Sequence, residues 1–336
     1  MAVMQESGSY FKNVIGENMF DVTALGELLI DFTSGKKSET GMRLFEQNPG
    51  GAPGNVLTAL SKCGLSTAML GKIGNDLHGN FLKETLEKYH ICIDGLVMDD
   101  SVFTTLAFVE VGEKGERNFS FARKPGADTM LQASEISEDI IKSSRIFHIG
   151  SLSLTDEPSR DATWFALKKA VEFGCVISYD PNYRASLWNT VQDAVREMKS
   201  VLPYVDIIKL SDEETELLTG IQNPSRAAMS LVETGIPVVA VTLGKEGAYV
   251  CTKEGGKKVP GYVSNAIDTT GAGDCFWGGF LYQFIKRSKS PKSITLEEGV
   301  RCAHFGNAMA SLCVEKRGGI PSIPSLEEVI KREKLF

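Results

Sequence analysis

Apolar and polar residues alternate along this chain with two different periods, which divide it into strands and helices. Short apolar runs predict strands over 22–30, 67–70, 145–149, 176–179, 207–209 and 238–242. Amphipathic stretches between them predict helices over 54–62, 77–89, 160–173, 213–219 and 226–233. This order favours an α/β fold, a mostly parallel sheet with helices on both faces. Ligands bind such sheets beyond the carboxyl ends of the strands, where Asp31, Asp180, Ser211 and Gly244 are expected.

Two segments, 32–48 and 101–121, do not follow this alternation. The first is polar and contains scattered glycines, without a clear helical period. In the second, apolar residues alternate in strand fashion on both sides of a turn predicted at 112–115. The pattern by itself indicates two surface hairpins.

Composition and charge exclude several classes of protein. The formal net charge of −7 and the lack of a basic run argue against nucleic acid as a partner. Seven cysteines with no C-x-x-C spacing indicate reduced thiols in a cytoplasmic protein rather than disulfides or a zinc site. No apolar run approaches the roughly 20 residues that span a bilayer, so we expect no membrane partner. The first 19 residues lack the apolar core of a secretion signal, and an ordered extension and a disordered tail both stay open.

The segment 268–274, DTTGAGD, combines small residues with an acid immediately before an apolar, helix-like run. Gly271, Ala272 and Gly273 allow backbone N–H groups at a helix N-terminus to approach an anion closely. Asp274 falls in the first turn, where it could accept a proton from a substrate hydroxyl. Together these features predict a catalytic site for phosphoryl transfer to an alcohol. The alternative is a helix cap whose glycines serve only close packing.

The same segment resembles the C-terminal signature of the PfkB, or ribokinase-like, family of carbohydrate kinases. A second family-like string, NPGGAPGNV, occupies residues 48–56, and the resemblance extends from about Asp21 to Pro324. The strings GELLID (26–31), PGGAP (49–53) and RKPGAD (123–128) most resemble fructokinases. The chain has neither a G-x-x-x-x-G-K-[ST] string nor a His-Arg-Asp catalytic loop, so any nucleotide must be held in another way.

The resemblance implies a sugar site near the N-terminal string. A carboxylate at Asp31 suits two adjacent hydroxyls, and Gly50 and Gly51 offer backbone N–H groups to a ligand. In the family, the matching acid, the glycine pair and the residue matching Asn55 contact the sugar. The two irregular segments would then form a small β-sheet lid, which contributes Phe103, Thr105, Phe121 and Arg123 to the sugar site. For Asp31 a turn cap, and for the phenylalanines ordinary sheet packing, are the alternatives.

The resemblance also implies a nucleotide site along the strand ends. The string DPNYR, residues 180–184, would place Arg184 near phosphate, and Lys209 and Ser211 follow the next strand. Glu214 matches the family acid that orders water around Mg²⁺, although Ser211 stands where asparagine is usual. Thr242 and Gly244 would flank the nucleotide, and Asn307 falls in the region that lines the adenine pocket. A helix start and a tight hairpin would explain the same residues without a ligand.

A site for K⁺ is a further implication, because many relatives hold this cation beside the anion hole. The matching positions here are Asp268, Thr270, Gly318 and Ser322. The expected cofactors are therefore ATP and Mg²⁺, with K⁺ as an additional candidate.

These observations lead to one hypothesis with two alternatives. An ATP-dependent kinase would phosphorylate the primary hydroxyl of a ketohexose, converting fructose to fructose 6-phosphate. The alternatives are a 2-keto-3-deoxygluconate kinase, with Arg123 or Lys124 facing the substrate carboxylate, and a non-catalytic relative that binds sugar or nucleotide. The expected organisation is an extension over 1–20 and a kinase domain over 21–336 with lid segments at 32–49 and 101–123. A homodimer through the lid is expected.

Overall fold

Two β-sheets and ten α-helices make up the part of the chain that the computed structural model describes, residues 19–111, 117–287 and 290–334. The strands are β1 (Phe20–Leu25), β2 (Leu29–Lys37), β3 (Arg43–Gly50), β4 (Thr67–Gly74), β5 (Ile91–Asp99), β6 (Thr105–Val111), β7 (Arg117–Ala122), β8 (Ser144–Ile149), β9 (Val176–Tyr179), β10 (Ile207–Ser211), β11 (Val238–Thr242), β12 (Ala248–Thr252) and β13 (Gly255–Val259). The helices are α1 (Ala52–Lys62), α2 (Leu77–Lys88), α3 (Glu138–Lys142), α4 (Ser159–Glu172), α5 (Val191–Ser200), α6 (Asp212–Thr219), α7 (Pro224–Glu233), α8 (Ala272–Arg287), α9 (Leu296–Cys313) and α10 (Leu326–Glu333).

The large sheet confirms the predicted α/β architecture. Its nine strands follow the order β13-β12-β11-β10-β9-β8-β1-β4-β5, and only the pairs β11–β12 and β12–β13 are antiparallel. Successive residues of a strand point to opposite faces, so each face carries its own core. Leu25 of β1 joins the cluster that contains α4, whereas Val22 and Ala24 join the cluster that contains α8. Helices therefore cover both faces, as the sequence pattern predicts.

The prediction of a single strand over 22–30 is wrong. Gly26 donates its N–H to the carbonyl of Leu70, after which the chain leaves the large sheet, and β2 begins at Leu29 in the small sheet. The run looks continuous in sequence because Leu28 and Ile30 are also fully buried, against other apolar groups. Asp31 therefore lies inside β2, paired with Asn48 and Ala107, rather than at a strand end.

The two irregular segments form one four-stranded sheet in the order β3-β2-β6-β7, which confirms strands in both of them. β2 pairs with β3 and β6 with β7 in antiparallel fashion, and β2 and β6 run parallel. The rings of Phe32 and Phe108 stack across that central pair, with centroids 5.4 Å apart. The turn predicted at 112–115 lies outside the described residues, as do residues 1–18 of the expected extension.

The first described strand, β1, begins at Phe20. Within the described ranges, no helix is both long enough and apolar enough to cross a membrane.

Candidate active site

The carboxyl ends of three neighbouring strands open onto one cleft. Asp180 directly follows β9, Ser211 ends β10 and Thr242 ends β11. The cleft has a volume of about 450 Å³, and α1, α8 and the small sheet also contribute to its walls. Its lining brings together most of the predicted site residues: Asp31, Gly51, Asn55, Phe121, Arg184, Lys209, Ser211, Glu214, Thr242, Gly244, Thr270, Gly271, Gly273 and Asp274.

Asp274 occupies the floor of this cleft in the first turn of α8. Gly271, just before the helix, has a φ of +74°, a left-handed conformation that glycine adopts without strain. The carboxylate of Asp274 is held from both sides by amides. Asn55 Nδ2 donates to Oδ2 at 2.7 Å, and Asn182 Nδ2 donates to Oδ1 at 3.1 Å.

The electrostatic environment of Asp274 contains opposing contributions. Burial raises the pKa of this carboxyl, because the charged form loses its hydration. The Asn55 amide, the charges of Lys209 and Arg184, and the Asn182 amide act to lower the same pKa. A carboxylate whose pKa is shifted upward in this way is a better proton acceptor than an exposed aspartate.

The turn before α1 forms the neighbouring wall of the cleft. Gly51 has a φ of +109°, and a Cβ on this residue would overlap the carbonyl oxygen of Glu27. Gly50 lies against Asp31, since a Cβ there would overlap Oδ2 of that residue. Because glycine cannot cap α1 with a side chain, Glu27 Oε1 accepts the Ala52 N–H at 3.0 Å instead. Burial raises the pKa of Glu27 to about 7.

Glu27 and Asn182 were not predicted as site residues, and Asp180 was expected only at the ligand-binding edge of the sheet. All three line the cleft or contact residues that do. For Glu27 the available signal was an acid within an apolar run, which is costly to bury unless it is paired. For Asn182 the signal was an asparagine within a polar turn, since asparagine tolerates the left-handed φ of 47° found there.

Lys209 and Asp180 form a buried ion pair at the back of the cleft. Lys209 Nζ lies 2.9 Å from Asp180 Oδ2, and neither side chain is more than 7% exposed. The same ammonium faces the start of α8, where a Cβ on Gly273 would lie 3.0 Å from Nζ. This cation therefore lies beside the glycine turn that was predicted to bind phosphate.

Glu214 has two backbone partners, which the sequence pattern did not predict. Its Oε1 accepts the Tyr183 N–H at 2.6 Å, and its Oε2 accepts the Ser211 N–H at 2.8 Å in a capping box. Among the described residues there is no group of three His, Cys, Asp or Glu side chains that could hold a metal ion. Mg²⁺ keeps several waters and needs few protein oxygens, so the carboxylates at the start of α6 fit such an ion.

Three of the four residues predicted from the lid do not reach the cleft, which corrects their assignment to the sugar site. Phe103 is 79% exposed, and Thr105 is buried and donates its hydroxyl to Asp128. Arg123 is buried as well, and its guanidinium contacts Asp128 Oδ2 at 2.7 Å. The remaining donors of Arg123 bond Thr155 and the carbonyl of Leu152, because a buried guanidinium needs all its partners. Only Phe121 lines the cleft.

A second cavity, of about 250 Å³, adjoins the cleft between β11 and α9. The two cavities share Thr242, Gly244, Thr269 and Gly273. Asn307 lines the second cavity, and its Nδ2 donates to the carbonyls of Val259 and Pro260 at 3.2 and 3.0 Å. This geometry holds the amide in place, and the cavity's mostly apolar walls suit a flat heterocycle.

The four residues predicted to hold K⁺ lie in adjoining loops. Asp268 Oδ1 accepts the Thr270 N–H at 2.8 Å, and Oδ2 accepts the Gly318 N–H at 3.0 Å. Ser322 is buried and donates its hydroxyl to the carbonyl of Gly319 at 2.7 Å. The carboxylate thus ties the DTTGAGD segment to the loop after α9, next to the start of α8.

Residues 16–326 match the model of the pfkB family carbohydrate kinases. The chain is 40% identical over 321 residues to probable fructokinase-5 of Arabidopsis thaliana, an alignment that covers 93% of this chain and 97% of the relative. It is 39% identical to fructokinase-2 of Oryza sativa subsp. japonica, with 91% of each chain covered.

Solved structures of fructokinases also match this chain. A fructokinase from Xylella fastidiosa with bound ATP matches with a TM-score of 0.84 and 29% identity, covering 94% of this chain and 98% of that one. A fructokinase from Vibrio cholerae O395, in its fructose, ADP and calcium ion bound form, matches with a TM-score of 0.83 and 30% identity, covering 94% and 99%. With the family model matching most of its length, this chain belongs to the pfkB family of carbohydrate kinases.

Proposed function

We propose that this protein transfers the γ-phosphoryl group of ATP to the 6-hydroxyl of fructose, producing fructose 6-phosphate and ADP. One observation carries the proposal: the buried carboxylate of Asp274 lies in a cleft at the N-terminus of α8, beside the turn Gly271–Gly273. A proton acceptor and a cradle of backbone N–H groups are the two components that phosphoryl transfer to an alcohol requires.

In the proposed mechanism, Asp274 accepts the proton of the sugar's primary hydroxyl as the oxygen attacks the γ-phosphorus. The bond between that phosphorus and the β,γ-bridging oxygen breaks, and ADP leaves with the electron pair. The N–H groups of Gly271, Ala272 and Gly273 stabilise the charge on the transferring phosphoryl group. Lys209 and Arg184 add positive charge on the side of the nucleotide.

The sugar lies between α1, the small sheet and Asp274 in this proposal. Asp31 accepts hydrogen bonds from sugar hydroxyls, Gly50 and Gly51 provide close backbone approach, and Phe121 packs against the C–H face of the ring. Asn55 contacts both the sugar and Asp274. Fructose is favoured because the relatives that match over most of the chain are named fructokinases.

The nucleotide occupies the remaining part of the cleft and the adjoining cavity. Thr242, Gly244 and Ser211 line the phosphate and ribose region, and Asn307 lines the pocket proposed for adenine. Mg²⁺ would neutralise phosphate charge, with Glu214 contacting its water shell. The loop of Asp268, Thr270, Gly318 and Ser322 is proposed to hold K⁺, as a Vibrio cholerae fructokinase double mutant has a potassium ion bound form.

Phosphorylation of 2-keto-3-deoxygluconate is less well supported. A carboxylated sugar needs a free cation in the sugar site, and Arg123 is already paired with Asp128 and closed off from the cleft. Burial of a carboxylate beside an anion-binding turn lowers the stability of a protein. A catalytic role explains why Asp274 is buried there, whereas a non-catalytic binding protein would gain nothing from it.

We also propose that two copies of the chain associate through the small sheet. Met42, just before β3, and Leu44, on β3, expose large apolar side chains at the edge of the small sheet. We further propose a cytoplasmic location, because all seven cysteines are free thiols.

The function is tested by an ADP-release assay with fructose, ribose and 2-keto-3-deoxygluconate side by side. We expect turnover with fructose that exceeds turnover with the other two sugars, and a fall in turnover of about 10²–10⁴-fold after Asp274→Asn. Equal or faster turnover of ribose or ketodeoxygluconate would reject fructose as the substrate.

A further inference from the structure

The turn after β9 is anchored by contacts with several other elements of the fold. Asp180 Oδ1 accepts the N–H of Asn182 at 3.1 Å, while Oδ2 is paired with Lys209. The carbonyl of Pro181 accepts the Ser151 N–H at 3.1 Å. The next residue in the chain, Tyr183, donates its N–H to Glu214.

These anchors converge on the backbone of Asn182, which is left-handed with a φ of 47°. Left-handed conformations are uncommon for residues other than glycine, and they mark places where the surrounding structure fixes the chain. The side chain of Asn182 is 7% exposed, and its amide reaches Asp274 Oδ1 at 3.1 Å. Because a carboxylate accepts hydrogen bonds and donates none, the NH₂ group of the amide must face Asp274.

We propose that Asn182 is a positioning residue for Asp274, held in place through Asp180 and Lys209. The proposal rests on the assignment of Asp274 as the proton acceptor. Asn55 fixes one carboxylate oxygen and Asn182 the other, so the plane of the carboxylate cannot rotate freely. Each oxygen retains a second lone pair for the substrate hydroxyl. Asn182 thereby keeps the acceptor directed into the cleft and favours its charged form.

Two substitutions separate this role from ordinary loop structure. Asn182→Gly keeps the left-handed backbone, which glycine adopts without strain, and removes the side chain together with its amide. Asn182→Asp keeps the side-chain volume but places a second carboxylate against Asp274, which disfavours the charged form of both. Asn80→Gly is the matched control, because Asn80 is exposed on α2, outside the cleft, and its amide bonds only the carbonyl of Asp76.

The measurement is the pH dependence of kcat/KM for fructose, with melting temperatures as a check on folding. For Asn182→Gly we expect kcat to fall at least about tenfold, because a positioned acid–base group contributes roughly 10²–10⁴-fold and only part of that depends on Asn182. The KM for ATP should change less than about threefold. The acidic limb of the profile should move to higher pH, and further for Asn182→Asp than for Asn182→Gly. Asn80→Gly should keep the limb and kcat of the unsubstituted protein.

The outcomes separate this inference from the proposed function. If Asp274→Asn remains active, the assignment of the proton acceptor fails and this inference fails with it. If Asp274→Asn is inactive but Asn182→Gly retains the original kcat and acidic limb, only the positioning role is wrong. A fall in kcat with an unmoved acidic limb in both Asn182 variants would show a merely structural role and would also reject it. Should Asn182→Gly not fold, kcat and the acidic limb are measured for the isosteric Asn182→Asp instead. An unchanged kcat or an unmoved limb in that variant would reject the positioning role.

Discussion

Lys209 Nζ lies 2.9 Å from Asp180 Oδ2, and this buried pair stands between the strand ends and the start of α8. Removing one partner of such a pair leaves an uncompensated charge, which costs about 3–5 kcal/mol. We expect Lys209→Met to lower the free energy of unfolding by that amount, measured by urea denaturation. Lys209→Met combined with Asp180→Asn, which keeps an oxygen for the Asn182 N–H, should recover most of the stability without recovering activity. Equal stability of the single and double variants would contradict this account.

Asp274→Asn should retain the fold while turnover falls by about 10²–10⁴-fold, the usual contribution of a positioned general base. The amide cannot accept the proton of the sugar hydroxyl at neutral pH. Steady-state ADP release measures the effect, and binding of ATP by calorimetry should be unchanged. Asp161→Asn, an exposed change in the first turn of α4, is the control and should have normal turnover. Near-normal turnover of Asp274→Asn would overturn the proton-acceptor assignment.

The titration of Glu27 should make the stability difference between the original protein and Glu27→Gln depend on pH. Burial raises the pKa of Glu27 from its ordinary value of 4.5 to about 7, so the folded protein holds a proton that the unfolded chain has released between these values. The unfolding free energy therefore falls as pH rises through this window. Glu27→Gln removes the titration while keeping an oxygen for the Ala52 N–H.

The stability of Glu27→Gln relative to the original protein should accordingly increase from about pH 5 to about pH 8, by up to about 3 kcal/mol. Urea denaturation at both pH values measures it. A relative stability that stays constant, or declines with rising pH, would show that Glu27 ionises normally in the fold.

Gly51→Ala should lower the stability of the protein by more than the positive φ of Gly51 alone explains. A Cβ at Gly51 overlaps the carbonyl oxygen of Glu27, so the turn before α1 must move in addition to adopting an unfavourable φ. Gly64→Ala is the control, because Gly64 also has a positive φ, +82°, but no atom lies within 4 Å of an added Cβ. We expect Gly64→Ala to cost about 1 kcal/mol with normal kinetics.

For Gly51→Ala we expect a larger loss of stability and a KM for fructose raised at least about tenfold, equivalent to about 1.4 kcal/mol of lost binding. Matching melting temperatures and KM values for the two alanine variants would argue against a sugar-binding role of this turn.

Strong hydrophobic periodicity made much of the fold predictable. The parallel strands of the large sheet are buried on both faces, so β9, β10 and β11 appear as short apolar runs in sequence. β5 was not predicted because only Ile91 and Gly95 of its residues are buried, which leaves no regular alternation. α5 was missed for a related reason: it buries only Ala194 and Met198, and the rest of the helix is polar.

The site was predictable where chemistry leaves a local signature. Asp274 and its glycines are contiguous, and a helix start after small residues has one physical interpretation. Partnerships between distant residues leave no such signature. Arg123 looked available for a substrate because its contacts with the Thr155 hydroxyl and the Leu152 carbonyl form only in the folded chain. Asn182 could not be linked to Asp274 for the same reason.

The crossing of the chain from β1 to β2 has a mechanical consequence. Glu27 belongs to the short connection between the two sheets, Asp31 lies within the small sheet, and Asp274 begins a helix packed on the large one. In the proposed mechanism, the distance between a sugar at Asp31 and the carboxylate of Asp274 is thus governed by how closely the two sheets dock. Tilting the small sheet by even a few degrees would alter the line of attack while every hydrogen bond within either sheet stayed intact.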